Sequence, residues 1–346
     1  SAVAGARLPG IRAALARPRA EPVERAQLLY ALFKELDDQG DAGGAWEALA
    51  EGSAILRHAS GHDRAAEARQ FESVRSMDVA SATPGTRDPE GQVPIFIVGM
   101  PRTGTTLLER ILGNRPDTVA LGERNDFDAA ISLASDHFYR GGLHETDWRK
   151  LERMDYRDAG AIYLGRVAPA DVQCRFFIDK NPQNFFNIGL ILRALPHARI
   201  LCLRRDPMDA CFSNLKEVFE GGAYAYSYGF EDLAAHHHGY LGLLRHWKAV
   251  APGSVHVVDY EDLVHDGDAA LQAVLEFCGM QPVAGMLDIT TNRAPVSTAS
   301  SSQVRQPIHA RGIGAWKRYA GPLAPLQALV EADRRPGDRS PGSDQA

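Results

Sequence analysis

The spacing of apolar residues changes near residue 93. Before that point, apolar side chains recur at helical spacing over Glu24–Asp37 and Gly43–His58, and Gln39-Gly40 interrupts the pattern. This spacing predicts two helices joined by a turn, which Gly40 permits.

These two predicted helices resemble one tetratricopeptide helix pair. The positions that fit are Leu29, Leu32, Leu36, Gly40, Ala45, Leu49 and Gly52. Because such repeats bury their faces against neighbouring repeats, the pair would be the last unit of a longer array. The alternative is a plain helical hairpin that packs on the main domain.

From residue 93 onward, short apolar strands alternate with helices. Val93–Val98 is continuously apolar, as expected for a strand buried on both faces. The other predicted strands are Cys174–Ile178, Arg199–Leu203 and Val255–Val258. The predicted helices are Thr105–Leu112, Pro182–Leu195, Pro207–Phe219, Asp232–Val250 and Asp268–Cys278. This order predicts an α/β fold of three layers, P-loop-like, with a parallel sheet between helices.

The predicted organisation has four parts. Residues 1–80 form the helical, tetratricopeptide-like region, and 81–92 form a turn-rich linker. The main domain covers 93–333. The tail 334–346 is polar and rich in proline and glycine, so we expect it to be disordered.

Composition and charge exclude several classes of protein. The net charge of −6 over 346 residues argues against a nucleic-acid-binding protein. No apolar run is long enough to span a bilayer, and no secretory signal is present, so we expect a cytoplasmic protein. The cysteines lie far apart without metal-ligand spacing, so we expect reduced core thiols and no metal site.

The segment Gly99-Met-Pro-Arg-Thr-Gly-Thr-Thr106 joins the first predicted strand to a helix. Loop amides and a helix N-terminus together favour binding of an anion. Gly99 and Gly104 have the spacing of a Walker A loop, but Thr105 occupies the position of its lysine. An ATPase or GTPase needs that lysine. A nucleotide kinase or NTPase is therefore a remote alternative, and Arg102 could supply a cation to a different anion.

A second candidate anion site follows the strand in Arg199–Pro207. The strand ends in Arg204 and Arg205, and Ser213 lies about two turns into the next predicted helix. An arginine at a strand end and a serine on the next helix can hold one phosphate. The alternative is that the two arginines form structural salt bridges with Asp206 and Asp209.

Together these motifs resemble those of sulfotransferases that use 3′-phosphoadenosine 5′-phosphosulfate. The loop Pro-Arg-Thr-Gly-Thr-Thr is similar to the family's 5′-phosphosulfate loop, which more often has serine where Thr103 stands. The resemblance implies that the residues that bind the 5′-phosphosulfate are Arg102, Thr103, Gly104, Thr105 and Thr106. It implies that Arg205 and Ser213 bind the 3′-phosphate.

Two catalytic roles follow from the same resemblance. Glu123, in Leu-Gly-Glu-Arg, has the position of the catalytic glutamate of tyrosylprotein sulfotransferases, which implies a general base. A glutamate paired with Arg124, or one that caps a helix, is the alternative, and His137 and His144 are alternative bases. Lys180, in Asp-Lys-Asn-Pro, resembles the family's lysine that stabilises the leaving oxygen.

The segments Ser297–Ile308 and Arg311–Tyr319 resemble the family's closing segment. Ser300 matches its transition-state-stabilising serine through the shared Gln-Val register. The tyrosylprotein branch has a lysine before its tryptophan, whereas Ala315 stands there in this chain. The candidates for the cation that covers the phosphates are therefore Arg311, Lys317 and Arg318, and the alternative is a basic surface patch.

The resemblance extends from about Pro94 to Leu329 and is closest to bacterial sulfotransferases with an N-terminal tetratricopeptide region. It implies in-line transfer of a sulfuryl group to a hydroxyl acceptor, without a metal and with 3′-phosphoadenosine 5′-phosphate as product. We expect a peptide or protein acceptor, with tyrosine as one candidate. A carbohydrate, lipid or other small molecule is the alternative, and an inactive repeat-type binding module is a remote one. A homodimer is one expectation for the oligomeric state.

Overall fold

The computed structural model describes residues 5–17, 21–77, 91–142, 148–151, 153–167, 174–220, 222, 224–292 and 306–332. Ser300, His144, the predicted tail and most of the predicted linker lie outside them. The chain divides into two compact units. The first takes its described residues from Ser1–Ala65, Pro207–His238 and Arg311–Pro336, and the second from Ala66–Asp206, Gly239–Ala310 and Gly337–Ala346. The predicted domain boundaries at 80 and 93 stay predictions.

The strands are β1 (Val93–Gly99), β2 (Thr118–Gly122), β3 (Phe176–Asp179), β4 (Arg199–Arg204) and β5 (Val255–Asp259). The α-helices among the described residues are α1 (Leu8–Leu15), α2 (Pro22–Gln39), α3 (Ala42–Ser60), α4 (Arg64–Arg75), α5 (Thr105–Leu112), α6 (Asp126–Ser135), α7 (Trp148–Leu151), α8 (Tyr156–Val167), α9 (Ile188–Ala194), α10 (Pro207–Leu215), α11 (Phe230–Val250), α12 (Tyr260–His265), α13 (Gly267–Cys278) and α14 (Ala320–Ala332). Short 3-10 helices are Pro182–Phe186, Ala225–Tyr228, Ile289–Thr291, Ala310–Gly312 and Ala315–Tyr319.

Within the described residues, the second unit is built on a parallel sheet of five strands in the order β2-β3-β1-β4-β5. The chain places β2 and β3 on one side of β1 and then β4 and β5 on the other. The order of the strands therefore reverses at β1. In open α/β sheets, ligands bind outside the carboxyl ends of the strands at such a reversal.

The two faces of this sheet carry different cores, because successive side chains of a strand point to opposite faces. Ile95 and Ile97 belong to a buried aliphatic cluster with residues of α5 and α13. Phe96 instead packs in an aromatic cluster with Phe127 of α6 and Tyr163 of α8, at ring-centroid distances of 6.0 and 5.6 Å. The predicted α/β fold, a parallel sheet between helices with a helical N-terminal region, is confirmed.

Three details differ from the predicted elements. Strand β2 was missed, because its residues are mostly half-buried and lack the continuous apolar run of β1. The predicted helix Pro182–Leu195 is instead a 3-10 helix followed by α9. At their junction, the Asn187 side chain donates hydrogen bonds to the side chains of Asp128 and Asn184. Helix α10 ends at Leu215, whose carbonyl accepts a hydrogen bond from the Tyr30 hydroxyl.

The first unit contains the predicted helical pair, which forms as α2 and α3. Asp41 caps α3 by accepting a hydrogen bond from the Gly44 amide. Tyr319 is buried between the rings of Phe33, Trp46 and Phe212. The relation to tetratricopeptide repeats stays a prediction. No helix among the described residues is long and apolar enough to cross a membrane.

Asp232, on α11, ties two other helices of the first unit together. Its buried carboxylate accepts hydrogen bonds from Arg57 at 2.9 Å and Arg64 at 2.7 Å. Burial raises the pKa of Asp232, but the hydrogen bonds from Arg64 and Arg57 outweigh burial, so the pKa lies below its usual value.

We predict that Asp232→Asn lowers the free energy of unfolding by about 2 kcal/mol at neutral pH, the scale of hydrogen bonds to a charged group. Because the native carboxylate has a depressed pKa, its contribution is present above the ordinary aspartate pKa and disappears as pH falls further. The difference in the free energy of unfolding between the variant and the wild-type chain should therefore become smaller below about pH 4. Urea unfolding at several pH values measures this difference. The neighbouring exposed Glu231→Gln should change stability by less than about 0.5 kcal/mol, and an equal loss in both variants would contradict the assignment.

Candidate active site

The predicted site residues of the second unit lie where its parallel strands end. The loop Gly99–Thr106 follows β1, Glu123 follows β2, Lys180 follows β3 and Arg205 follows β4. Tyr260 follows β5. Because the strands are parallel, these positions share one edge of the sheet, where ligands bind in folds of this type.

The loop after β1 has the backbone of an anion-binding cradle. Arg102 and Gly104 have left-handed φ values of 67° and 103°. The Thr103 hydroxyl donates to the Met100 carbonyl at 2.7 Å, which closes the turn. Left-handed residues within such a loop orient successive amides toward one concavity, and α5 begins directly after it.

Gly104 is also required sterically. A Cβ atom there would lie 2.6 Å from Cδ2 of Tyr260. The tyrosine ring therefore packs directly on the loop. Thr105 and Thr106 are buried at the start of α5, and Thr106 lines the cavity beside the loop.

The two arginines at the end of β4 have different partners. Arg204 makes two hydrogen bonds with the Asp259 carboxylate, at 2.6 and 2.8 Å. Arg205 is buried, donates to the carbonyl of Arg102 at 2.7 Å and lies 4.6 Å from the centre of the Tyr260 ring. Arg204 therefore forms a structural ion pair with Asp259, which was not one of the expected partners, and Arg205 contacts the loop.

A cavity of about 530 Å³, part of it open to solvent, lies beside this loop. Arg102 and Arg205 line it together with Tyr260. Ile308 and His309 also line it. The cavity thus combines cations, an aromatic ring and apolar surface.

Lys180 and Glu123 form a close ion pair. The distance from Lys180 Nζ to Glu123 Oε1 is 2.5 Å. The lysine side chain is fully buried, whereas 40% of the Glu123 side chain is exposed. Arg124, the alternative partner of Glu123, is instead hydrogen-bonded to Asp126. The pair presents a carboxylate to solvent with an ammonium behind it.

The backbone on both sides of Glu123 is fixed. Gly122 lies at a β-bulge with a left-handed φ of 74°. Its carbonyl accepts the Lys180 amide at 3.1 Å. The Asn181 side chain donates to the Arg124 carbonyl at 3.0 Å. The chain leaves the sheet at Gly122, so that Glu123 reaches the Lys180 ammonium.

Asp179 anchors the segment that carries Lys180. Its fully buried carboxylate accepts hydrogen bonds from the Tyr163 hydroxyl at 2.9 Å and from Asn184 at 3.3 Å. Burial raises the pKa of Asp179 to about 7. A buried polar group with two partners holds the strand end in one position.

The remaining predicted residues belong to the first unit, follow α6, or lie outside the described residues. Ser213 is buried on α10 of the first unit. Arg318, also in the first unit, donates to the Asp37 carboxylate at 2.9 Å. Arg311 and Lys317 are exposed in that unit, and His137 is half-buried after α6. The functional roles assigned to all these residues, and to Ser300 and His144, stay predictions.

Glu109 was missed by the sequence analysis. It is buried on α5, and its Oε2 lies 3.9 Å from Lys180 Nζ. The available signal was an acidic residue within an apolar helix, next to Leu108 and close to Ile111. The sequence analysis assigned no role to Tyr260, although it contacts both the loop and Arg205.

The fold and this edge are those of a parallel α/β protein whose first strand runs into a glycine-containing loop and a helix N-terminus. A family model described as Sulfotransferase family matches residues 94–283, which is more than half of the 346 residues. The chain belongs to the sulfotransferase family.

Two relatives are similar in sequence. An uncharacterized protein of Aquifex aeolicus (strain VF5) is 28% identical over 318 residues, covering 89% of this chain and 41% of that protein. A putative protein-tyrosine sulfotransferase of Caenorhabditis briggsae is 23% identical over 240 residues, covering 64% of this chain and 80% of that protein. The chain thus spans less than half the length of the Aquifex relative.

Two solved structures are similar in fold. The sulfotransferase domain from the curacin biosynthetic pathway has 14% identity and a TM-score of 0.43, covering 70% of this chain and 98% of its own. The sulfotransferase domain from the Synechococcus PCC 7002 olefin synthase has 20% identity and a TM-score of 0.43, covering 72% and 98%.

The left-handed φ of Gly122 yields a prediction. Gly122→Ala should lower the free energy of unfolding by about 1–2 kcal/mol, because a Cβ disfavours this backbone conformation although it meets no neighbouring atom. Gly165→Ala in α8 is the matched control, since that position is also open and has no left-handed φ. The control should be neutral or stabilise by up to about 1 kcal/mol. Urea unfolding compares them, and equal effects would refute the role of Gly122.

Proposed function

We propose that the chain transfers a sulfuryl group from 3′-phosphoadenosine 5′-phosphosulfate to a hydroxyl acceptor, with Glu123 as the general base. The observation that carries this proposal is the 2.5 Å pair of Glu123 and Lys180 at the same sheet edge as the anion-binding loop. An exposed carboxylate backed by a buried ammonium supplies both a proton acceptor and a positive charge.

The donor would occupy the loop and the adjoining cavity. It carries a 5′-phosphosulfate, for which Arg102 and the amides of residues 103–106 are the proposed ligands. It also carries a 3′-phosphate, for which Arg205 is the proposed ligand in this unit. Tyr260 and Ile308 in the cavity lining suit the flat, less polar adenine. Thr105 at the Walker lysine position disfavours a triphosphate.

The transfer exchanges one S–O bond for another. The acceptor oxygen attacks sulfur, while the bond from sulfur to the bridging phosphate oxygen breaks. Glu123 takes the proton of the acceptor hydroxyl, and the electron pair of the broken bond remains on the leaving phosphate. Lys180 and Arg102 stabilise that negative charge, and Ser300 is proposed to assist. Arg311, Lys317, Arg318 and Ser213 remain proposed donor ligands on resemblance alone.

The proposed acceptor is a peptide or protein, with tyrosine as the candidate residue. The position of Glu123 supports this, because it resembles that of the tyrosylprotein sulfotransferase base. The relative from Caenorhabditis briggsae, a putative protein-tyrosine sulfotransferase, also supports it. A carbohydrate, lipid or other small-molecule hydroxyl is the alternative acceptor.

Glu123→Gln should reduce sulfuryl transfer by at least about 100-fold, the usual contribution of a general base. Binding of 3′-phosphoadenosine 5′-phosphate should stay within about twofold, because the base does not hold the nucleotide. Turnover is measured with labelled donor and a panel of tyrosine peptides, carbohydrates, lipids and phenols, and binding is measured by calorimetry.

Glu276→Gln, an exposed carboxylate on α13 of the same unit, is the control and should retain wild-type turnover. Wild-type turnover in Glu123→Gln would reject Glu123 as the base. Magnesium-dependent ATP hydrolysis without sulfuryl transfer would instead support an NTPase. Nucleotide binding without transfer to any acceptor of the panel would support a binding module.

The neighbouring arginines give a matched test of the 3′-phosphate site. Arg205→Ala should weaken binding of 3′-phosphoadenosine 5′-phosphate by about 1.5–3 kcal/mol, the scale of a charged hydrogen bond. Arg204→Ala breaks the ion pair with Asp259 and should lower stability while leaving this affinity nearly unchanged. Calorimetry on both variants measures the difference, and equal affinities would contradict the assignment of Arg205.

A further inference from the structure

Glu109 forms a third charged group behind the Glu123–Lys180 pair. It projects from α5, is 7% exposed, and its Oε2 lies 3.9 Å from Lys180 Nζ. Glu123 and Glu109 thus approach the same ammonium from different elements. Only Glu123 is substantially exposed, so Glu109 is not available to an acceptor.

A fully buried ammonium is stable only with a counter-charge close by. Glu123 supplies that charge at 2.5 Å in the structure. When Glu123 takes the acceptor's proton, its carboxylate becomes neutral and no longer compensates Lys180. Glu109 is then the remaining carboxylate within 4 Å of this ammonium among the described ion pairs. Glu109 therefore supplies the counter-charge to Lys180 at the step at which the lysine must be positive.

Glu109 also lies near the backbone that carries both partners. The Gly122 backbone near the Glu109 carboxylate opposes the rise in its pKa. The Gly122 carbonyl accepts the Lys180 amide at 3.1 Å, and Glu123 is the next residue. One side chain of α5 therefore lies beside the ends of both β2 and β3.

We infer that Glu109 is a positioning residue that holds the Lys180 ammonium and keeps it charged during sulfuryl transfer. The inference rests on the proposed function of Glu123 and Lys180. The charged groups that face Glu109 are Lys180, Arg110 and Glu123. Burial raises the pKa of Glu109, and Lys180 and Arg110 oppose this increase. Arg110 donates to the Asn292 side chain at 2.6 Å, so it has its own partner.

The test compares Glu109→Gln, which keeps the shape and removes the charge, with Glu109→Asp, which keeps the charge. Glu109→Gln should lower kcat roughly tenfold, with the dissociation constant of 3′-phosphoadenosine 5′-phosphate changed less than about twofold. Glu109→Asp should retain more activity than Glu109→Gln. The alkaline limb of the pH–rate profile should move to lower pH in Glu109→Gln, because one of the two carboxylates that favour the charged ammonium is lost.

A measurement without donor or acceptor supplements the kinetics. The chain has six lysines, so the ε-carbon resonance of Lys180 can be assigned by comparison with Lys180→Arg after ¹³C-lysine labelling. Glu109→Gln should shift this resonance, because a carboxylate near the Lys180 ammonium is lost. Asp117→Asn is the matched control, because Asp117 pairs with Arg115 at 2.8 Å at the opposite end of β2 from Gly122. The control should leave the resonance unchanged.

An unchanged Lys180 resonance in Glu109→Gln would overturn the inference. Parallel losses of stability and activity in Glu109→Gln and Asp117→Asn, with unaltered pH–rate profiles, would also overturn it and indicate a structural role. Failure of the wild-type chain to transfer any sulfuryl group would refute the proposed function. In that case the resonance would still decide whether Glu109 holds Lys180.

Discussion

The parallel pairing of β1 with β3 on one side and β4 on the other is the constraint on which the active-site edge depends. Parallel strands share one carboxyl edge, so the segments that follow them converge without any long-range signal in the sequence. The loop after β1 lies at the reversal of strand order. The segments after β3 and β4 place Lys180 and Arg205 on its two sides. A change in the register of β1 would displace the loop relative to both Lys180 and Arg205.

The chemistry at this edge depends on how buried charge is compensated. The net charge of −6 says little about it, because the site concentrates cations locally. Lys180 is fully buried between two carboxylates, and Arg205 rests on the Tyr260 ring and the loop carbonyl. Arg205 lines the cavity, whereas the Lys180 ammonium lies behind the exposed Glu123 carboxylate. Preorganised charge of this kind favours a transition state without rearrangement of the protein.

The positions of these charged groups depend on the backbone conformation at two glycines. Gly104 admits the Tyr260 ring next to the loop, and Gly122 turns the chain out of β2. At both positions φ is left-handed, which side chains other than glycine rarely tolerate. The geometry of the loop and of the Glu123 segment is therefore specified by backbone conformation as much as by side-chain contacts. At the end of β3, hydrogen bonds of Asp179 and Asn181 also hold this geometry.

The sequence by itself determined the α/β fold, the strands β1, β3, β4 and β5, and the loop from Gly99 to Thr106. Each of these is a local property, set by continuous apolar runs and by the spacing of glycine and threonine. It did not reveal β2, whose residues are only partly buried. Only the tertiary structure decided that Arg205 faces the loop while Arg204 pairs with Asp259, and that Glu109 meets Lys180. These pairings join residues far apart in the chain, and adjacent strand residues point to opposite faces, so no local spacing encodes them.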